Sequence, residues 1–443
     1  MLDALIRRRR AASARAEEAG VESRTGARAS LDPDEHERFG VLLPGVARAR
    51  PIDLVPGALI QPCFEAEPDR LTVEEFRTLL LSCVLTGASD VTLQTGRRAR
   101  AEVDGQLHVV TRRALGASEI DEILIESYGG PARGAHARTE ILARAVLDYS
   151  YELITADGLK QRFRVNATGI HSAASGGGVE LTFRALPQVT PDVRRVGLSG
   201  PLLEAMTPRD GLVAVAGATG HGKSTTLAAV IRTLLEDQER PVKIVDIEAP
   251  IEFSFEDIWA RSNGRSTIGQ SEVGRHIRSF ADGVRSALRR KPHIIVVGEA
   301  RDYPTIAASL EASITGHLVY TTTHAGSVPD VIRRLLSIFP AEERDARAHD
   351  LASSLRVMLV QVLVPRVGGG RIPVREYLLV SPEIRDQLLS APPSQWAAIM
   401  VSIMDGLDVD DRGQTMGAHA VRLYRAGLIT GQDCRRLNGG GGL

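Results

Sequence analysis

A chain of 443 residues with 43% hydrophobic residues and a formal net charge of −1 is long for one domain and natural for two or three, with enough apolar material for ordinary cores. The near-neutral balance excludes a global field that would gather nucleic acid, and 4% aromatic residues argue against base-stacking platforms. Cys63, Cys83 and Cys434 form an odd, widely spaced set that offers neither a disulfide framework nor a zinc knuckle, so a reducing cytosolic setting is expected.

In chain order, residues 1 to about 70 mix charge, alanine, glycine and proline without sustained periodicity and read as a mostly disordered arm. Its start, MLDALIRRRRAASARAEEAG, lacks the apolar core of a signal peptide, and no apolar run in the chain approaches the roughly twenty residues of a membrane helix. Arg7 to Arg10 read as the solvated basic end of that arm rather than a lipid anchor. From LTVEEFRTLLLSCVLTGASD a helical spacing begins, followed by the alternating strands VTLQT, ARAEVDG and QLHVVT, the helical SEIDEILIESY, and the strands LDYSYELI, QRFRVNATGI and VELTFRAL. These make a small α/β domain over residues 71–187. PQVTPDVRRVGLSG, with two prolines, reads as a linker over 188–200. Short apolar strands then alternate with helices: LVAVAGA, a helix from Ser224, VKIVDIE, a helix through RHIRSFADGVRSALRR, HIIVVGEA, the helix TIAASLEASITG, and HLVYTTTHA. Such alternation implies a parallel sheet covered on both faces. Beyond residue 330 the pattern reads as mainly helical, with 391–443 a helical segment and flexible tail.

The stretch GATGHGKSTT (217–226) matches G-x-x-x-x-G-K-[ST] through Gly217, Gly222, Lys223 and Ser224, between a strand and a helix. Glycines let such a loop turn its backbone N–H groups onto a β-phosphate, while the helix presents its positive end to the same anion. Lys223 would reach the β- and γ-phosphates, and the Ser224 hydroxyl would take one position on Mg²⁺. A chance glycine turn is the bland alternative. Lysine usage argues against it: Lys160, Lys223, Lys243 and Lys291 are the only lysines beside fifty arginines.

An α/β nucleotide enzyme needs further acids at the carboxyl ends of neighbouring strands, to hold a metal and an attacking water. VKIVDIEAPIEF supplies Glu248 at a strand end with Glu252 four residues on, and HIIVVGEARD supplies Glu299 at another. Any one of these acids alone is commonly a helix cap or a surface ion pair. LVYTTTHAGS delivers Thr321, Thr322, Thr323 and His324; a lone histidine there is usually structural, and a γ-phosphate sensor is the functional reading.

The order GATGHGKST, EAPIEF, QSEVGRHIRSFADGVRSALRRKPHIIVVGEARD and TGHLVYTTTHAGS resembles the secretion ATPase superfamily, with its Walker A, Asp box, Walker B and His box. The likeness extends through IRRLLSIFPAEER and LVPRVGGGRIPVREYL, and back through GASDVTLQTG, AEVDGQL and RFRVNATG, covering most of residues 70–390. Two features are similar to the DotB-type ATPases of type IVB secretion and their conjugation relatives: Ala249 stands where pilus-retraction ATPases carry an aspartate, and FADGVRSALRRKP is close to the DotB wording. The AIRNLLTNE-like motif of retraction motors is also absent.

The resemblance implies an α/β fold, with a RecA-like P-loop ATPase domain over 201–390 and a smaller PAS-like α/β N-terminal domain over 71–187. It implies ATP and Mg²⁺ as ligands, with nucleotide contacts from Gly217, Thr219, Gly220, His221, Gly222, Lys223, Ser224 and Thr225. Glu299 would polarise water, Glu248 and Glu252 would complete the metal and water shell, with Ser224 and Glu248 on the metal, and His324 would sense the γ-phosphate. Glu248 and Glu299 could exchange the base role. An arginine from the N-terminal domain of a neighbouring subunit would stabilise the transferred phosphoryl group, pointing to Arg164, with Arg162 and Arg184 behind it; a surface ion pair is the alternative for each.

The implied protein is a cytoplasmic homo-hexameric ring, recruited peripherally to the inner membrane, where it meets secretion or conjugation channel components and powers transfer without stable nucleic-acid binding. The nearest alternative is a pilus retraction or assembly motor. A nucleic-acid motor would need a basic path bearing aromatics, and a non-hydrolysing scaffold would be expected to lack Lys223 or Glu299.

Overall fold

The computed structural model describes residue 64 and residues 67–439, apart from 104, 155–159, 173–176, 262–263 and 408–411. The expected arm, with Arg7 to Arg10 and Cys63, therefore lies almost wholly outside the described residues. Those that are described divide into two compact units, one ending at Val189 and the other starting at Thr190.

The first unit opens with helix α1 (Val73–Leu85), whose start is fixed by a capping box: Glu75 N–H donates to Thr72 Oγ1 at 3.3 Å and Thr72 N–H to Glu75 Oε2 at 2.7 Å. Strands β1 (Ala88–Gln94), β2 (Arg100–Val103) and β3 (Gln106–Val109) follow, then helices α2 (Ala117–Ser127) and α3 (Pro131–Leu142), and strands β4 (Leu147–Ile154), β5 (Lys160–Ile170) and β6 (Gly178–Ala185). The six strands form one antiparallel sheet in the order β3-β2-β1-β6-β5-β4. One face is closed by Phe76 and Leu80 of α1 and Ile120 and Leu124 of α2 against Phe163, Val165 and Phe183. The other face carries polar side chains, the period-2 signature of a sheet with one wet side. Helix α3 was not evident from periodicity, because PARGAHARTEIL has no apolar stripe; Pro131 at its first turn starts it.

The second unit runs α4 (Gly200–Ala205), β7 (Gly211–Ala216), α5 (Lys223–Glu236), β8 (Lys243–Glu248), α6 (Glu256–Arg261), β9 (Thr267–Glu272), α7 (Phe280–Ala287), β10 (Ile294–Val297), α8 (Tyr303–Ile314), β11 (Leu318–Thr323), α9 (Val328–Ser337), α10 (Arg344–Ser354), β12 (Leu355–Pro365), β13 (Arg371–Leu379), α11 (Pro382–Leu389), α12 (Trp396–Asp405), β14 (Gly413–Gln414), α13 (Met416–Arg425) and α14 (Gly431–Leu437). Its eight strands lie in the order β14-β13-β12-β7-β11-β10-β8-β9, parallel from β12 to β9 and antiparallel at the β12–β13 and β13–β14 pairs. Alternate residues of β7 enter opposite cores, Leu212, Ala214 and Ala216 on one face and Val213 and Val215 on the other. The sheet is thus covered twice, and the connecting turns at its carboxyl edge are left to carry chemistry.

Beyond residue 330 the chain is mainly helical, as expected, but LRVMLVQVLVP and RIPVREYLL interrupt the helices as the paired strands β12 and β13. The middle of β12, Val357 to Gln361, is continuously buried, so it shows no alternation from which a strand could be told. The helix expected through 275–290 shrinks to α7, because the N–H groups of Arg275, His276 and Ile277 all turn back onto Glu272 O and Ser279 caps a fresh start by accepting from Asp282 N–H at 3.1 Å.

Candidate nucleotide site

The glycine-rich loop joins the end of β7 to the start of α5. Gly217 at φ 147° and Gly222 at φ 77° hold conformations that side chains resist. Space forbids side chains there as well: a Cβ on Gly217 would stand 2.4 Å from Gln361 O, and one on Gly222 would stand 3.0 Å from Gln361 Nε2. The loop therefore leans on β12, at Gln361, through both ends. Lys223 sits in the first turn of α5 and donates from Nζ to Gly217 O at 2.8 Å and Ala218 O at 3.1 Å. Burial pushes its ammonium pKa down, while the charge of Glu299 and then of Glu252 pulls it up. Ser224 and Thr225 continue the same turn, half-buried, and Thr219, Gly220 and His221 form the crest of the loop.

The acids arrive on the neighbouring strands. β8 ends at Glu248, whose Oε2 accepts from Glu252 N–H at 2.8 Å, so the two carboxylates belong to one turn. β10 leads through Gly298 to Glu299. A Cβ on Gly298 would stand 3.3 Å from Glu248 Cα, which shows how closely the two strand ends approach. β11 leads to His324, whose Nε2 lies 3.3 Å from Glu299 Oε1; Arg301 Nε lies 2.7 Å from the other oxygen of the same carboxylate. Thr322 fastens the two strand ends by donating from Oγ1 to Gly298 O at 2.5 Å. Because β7, β11, β10 and β8 are consecutive in the sheet, the loop, Glu299, His324, Glu248 and Glu252 share one edge.

Arg162, Arg164 and Arg184 belong to the first unit. Arg164 and Arg184 stand opposite one another on β5 and β6. Arg164 Nη2 lies 3.5 Å from Asp148 Oδ2 and Arg184 Nε donates to Asp90 Oδ1 at 2.8 Å, so the sheet carries a cross-strand row Arg164, Arg184, Asp90, with Asp148 diagonal to Arg164. Arg162 pairs in register with Glu152.

Sequence reasoning missed a polar network behind the loop. Gln361 donates from Nε2 to His221 O at 2.7 Å and accepts at Oε1 from Thr226 Oγ1 at 2.9 Å and Arg375 Nε at 2.8 Å. Arg375 is 2% exposed, and burial pulls its pKa down to about 10. Gln270 likewise braces the turn after Glu248, donating from Nε2 to Asp246 Oδ2 and Phe253 O and accepting from Phe255 N–H. A glutamine inside VMLVQVLV was the available signal, since buried polar groups demand partners.

The family described as Type II/IV secretion system protein matches residues 180–370. The Pseudomonas aeruginosa type IV pilus retraction ATPase PilT is 32% identical over 358 residues, which are 81% of this chain and 96% of that one. The chain belongs to the type II/IV secretion ATPase family. A twitching motility protein of Neisseria gonorrhoeae is 31% identical over 75% of this chain and 82% of its own. Among solved structures, the Legionella pneumophila ATPase DotB superposes with a TM-score of 0.75 at 36% identity, covering 87% of this chain and all of that one. The pilus retraction motor PilT with bound ADP gives 0.66 at 29% identity, covering 83% of this chain and 97% of that one. The fold is accordingly that of a RecA-like secretion ATPase with a separate N-terminal α/β domain, and the protein is an ATPase that binds nucleotide. No helix among the described residues is long and apolar enough to cross a membrane.

Proposed function

We propose that this secretion ATPase is a hexameric, cytoplasmic ring that docks on the inner membrane and powers type IVB secretion or conjugative transfer. The observation that carries the reading is the single sheet edge shared by the phosphate loop, Glu248, Glu252, Glu299 and His324. In this reading the loop amides and Lys223 hold the phosphates. Glu299, oriented by His324 on one oxygen and Arg301 on the other, accepts the proton of the attacking water. Glu248 shares that shell with Glu252. His324, tied to Glu299, registers whether a γ-phosphate is present.

The donor set fits Mg²⁺. Among the described residues no group of three or more His, Cys, Asp or Glu could hold a metal by itself, and Mg²⁺ bound through phosphates needs only one or two protein oxygens, here Ser224 and Glu248. When bound it neutralises charge on the β- and γ-phosphates. Arg164 of a neighbouring subunit, with Arg162 and Arg184 behind it, supplies the remaining cation.

The likeness to DotB and Ala249 in the EAPIEF box support the secretion assignment. Pilus retraction is the second reading, favoured by 32% identity to PilT over nearly that protein's whole length. Affinity capture of the full chain from its native cells separates them. Secretion or conjugation channel components are expected on the ring, and a pilus assembly platform in their place would overturn the first reading for the second.

A further inference from the structure

The segment leaving the first unit is strung across the nucleotide machinery. Thr190 O accepts from Arg232 Nη1 of α5 at 2.8 Å, and Thr190 Oγ1 donates to Ser254 O at 3.0 Å, two residues beyond Glu252. Seven residues on, Gly197 takes a left-handed turn at φ 63° and offers its carbonyl to Arg375 Nη1 at 2.6 Å, while Val196 O accepts from Nη2. The third guanidinium arm, Nε, goes to Gln361, which holds His221 O of the phosphate loop and Thr226 of the helix behind it. Arg375 is buried, desolvation pulls its pKa down, and among the described residues no carboxylate forms an ion pair with it. A buried guanidinium is costly and is kept where its planar fork is needed to join several acceptors. Here the acceptors are the phosphate loop's support on one side and the strap at 196–197 on the other.

We propose that Arg375 and Gln361 are positioning residues that couple the nucleotide state of the phosphate loop to the strap at residues 190–197, so that movement of the His221 carbonyl on nucleotide binding is transmitted to the segment entering from the first unit. In this proposal each acts through the loop it supports. This rests on the proposed ATP site.

The coupling is tested on the full chain by hydrogen exchange over residues 190–199, with and without Mg²⁺ and either ATP or ADP, alongside kcat and KM. Q361E keeps acceptors for Arg375 and Thr226 but loses the donor to His221 O. R375K keeps the charge but cannot span three acceptors. In the wild type, ATP should slow exchange of the strap by about threefold or more relative to ADP. Both variants should lose that response, with kcat down roughly tenfold and KM little changed, because a displaced loop costs turnover more than grip.

A wild-type strap indifferent to nucleotide in a protein that binds ATP would overturn the coupling and leave the site standing. Variants that raise KM alone and keep the strap response, or R375K behaving as wild type, would also overturn it. A wild type that binds no ATP would bring down the site itself.

Discussion

The two units solve the problem of charge in opposite ways. The first keeps most of it outside, the buried Glu119 with its Arg113 partner apart: a single antiparallel sheet buries one face on aromatic and aliphatic side chains and shows water the ion-paired Asp148, Arg164, Arg184 and Asp90. The second, covered on both faces, brings ionisable groups inside: Asp246, Arg375 and Glu376 lie within or beneath the sheet, each with at least one hydrogen bond, and burial pushes the Asp246 carboxyl up to about 7. Exposed ion pairs contribute little to stability, typically under about 1 kcal/mol, so the first unit's row can be spent on recognition. Buried polar groups are costly unless paired, and the second unit braces its catalytic edge through Gln361 and Gln270, while Asp246 Oδ1, His221 Nδ1 and Thr321 Oγ1 are left without a hydrogen-bond partner among the described residues.

The sharpest break of that comparison is at the loop. Lys223→Ala should remove measurable ATP binding, a loss of about a hundredfold or more in affinity, because the phosphates lose the half-buried ammonium of the loop. Fluorescent nucleotide titration reads it, and retained binding would mean that the loop does not grip phosphate.

The first unit comes next. Arg164→Ala should lower kcat by about tenfold or more with unchanged ATP affinity, and mixing it with Lys223→Ala protein should restore part of the activity if the arginine acts on a neighbour's site. Unaltered turnover would reduce the row to surface ion pairs.

The smallest effect concerns acid. His419 accepts the Arg375 backbone N–H at Nδ1, and burial, with Arg422 and Arg375 nearby, pushes its pKa down from 6.5 to about 4. The unfolded chain takes up this proton first as pH falls. His419 therefore contributes stability that is present above pH 6.5 and is lost as pH falls towards 4, on the order of 3 kcal/mol at most. His419→Asn should flatten chemical denaturation midpoints across that window, and an equally steep acid dependence would contradict the assignment.

Much of the site was legible because its signals are local. Gly217 to Ser224 lie in one loop, and Glu248, Glu299 and His324 each end a short apolar run, so spacing alone set them at one edge once the sheet was parallel. The first unit's six strands were legible for a different reason: water on one face imposes alternation. What escaped depends on register between distant strands. Nothing near Gln361 in sequence says that it faces the loop, and nothing near Arg375 says that it meets Val196 and Gly197. β12 escaped because burial on both faces erases alternation, and β9 because TIGQSE carries polar residues into a half-buried strand.

The central claim, that a carboxylate at the tip of β10 readies water against a phosphate held by the loop, is tested most directly by Glu299→Gln. ATP binding should persist at wild-type affinity while steady-state phosphate release falls by about a hundredfold or more. Full-rate hydrolysis by the purified variant would contradict it.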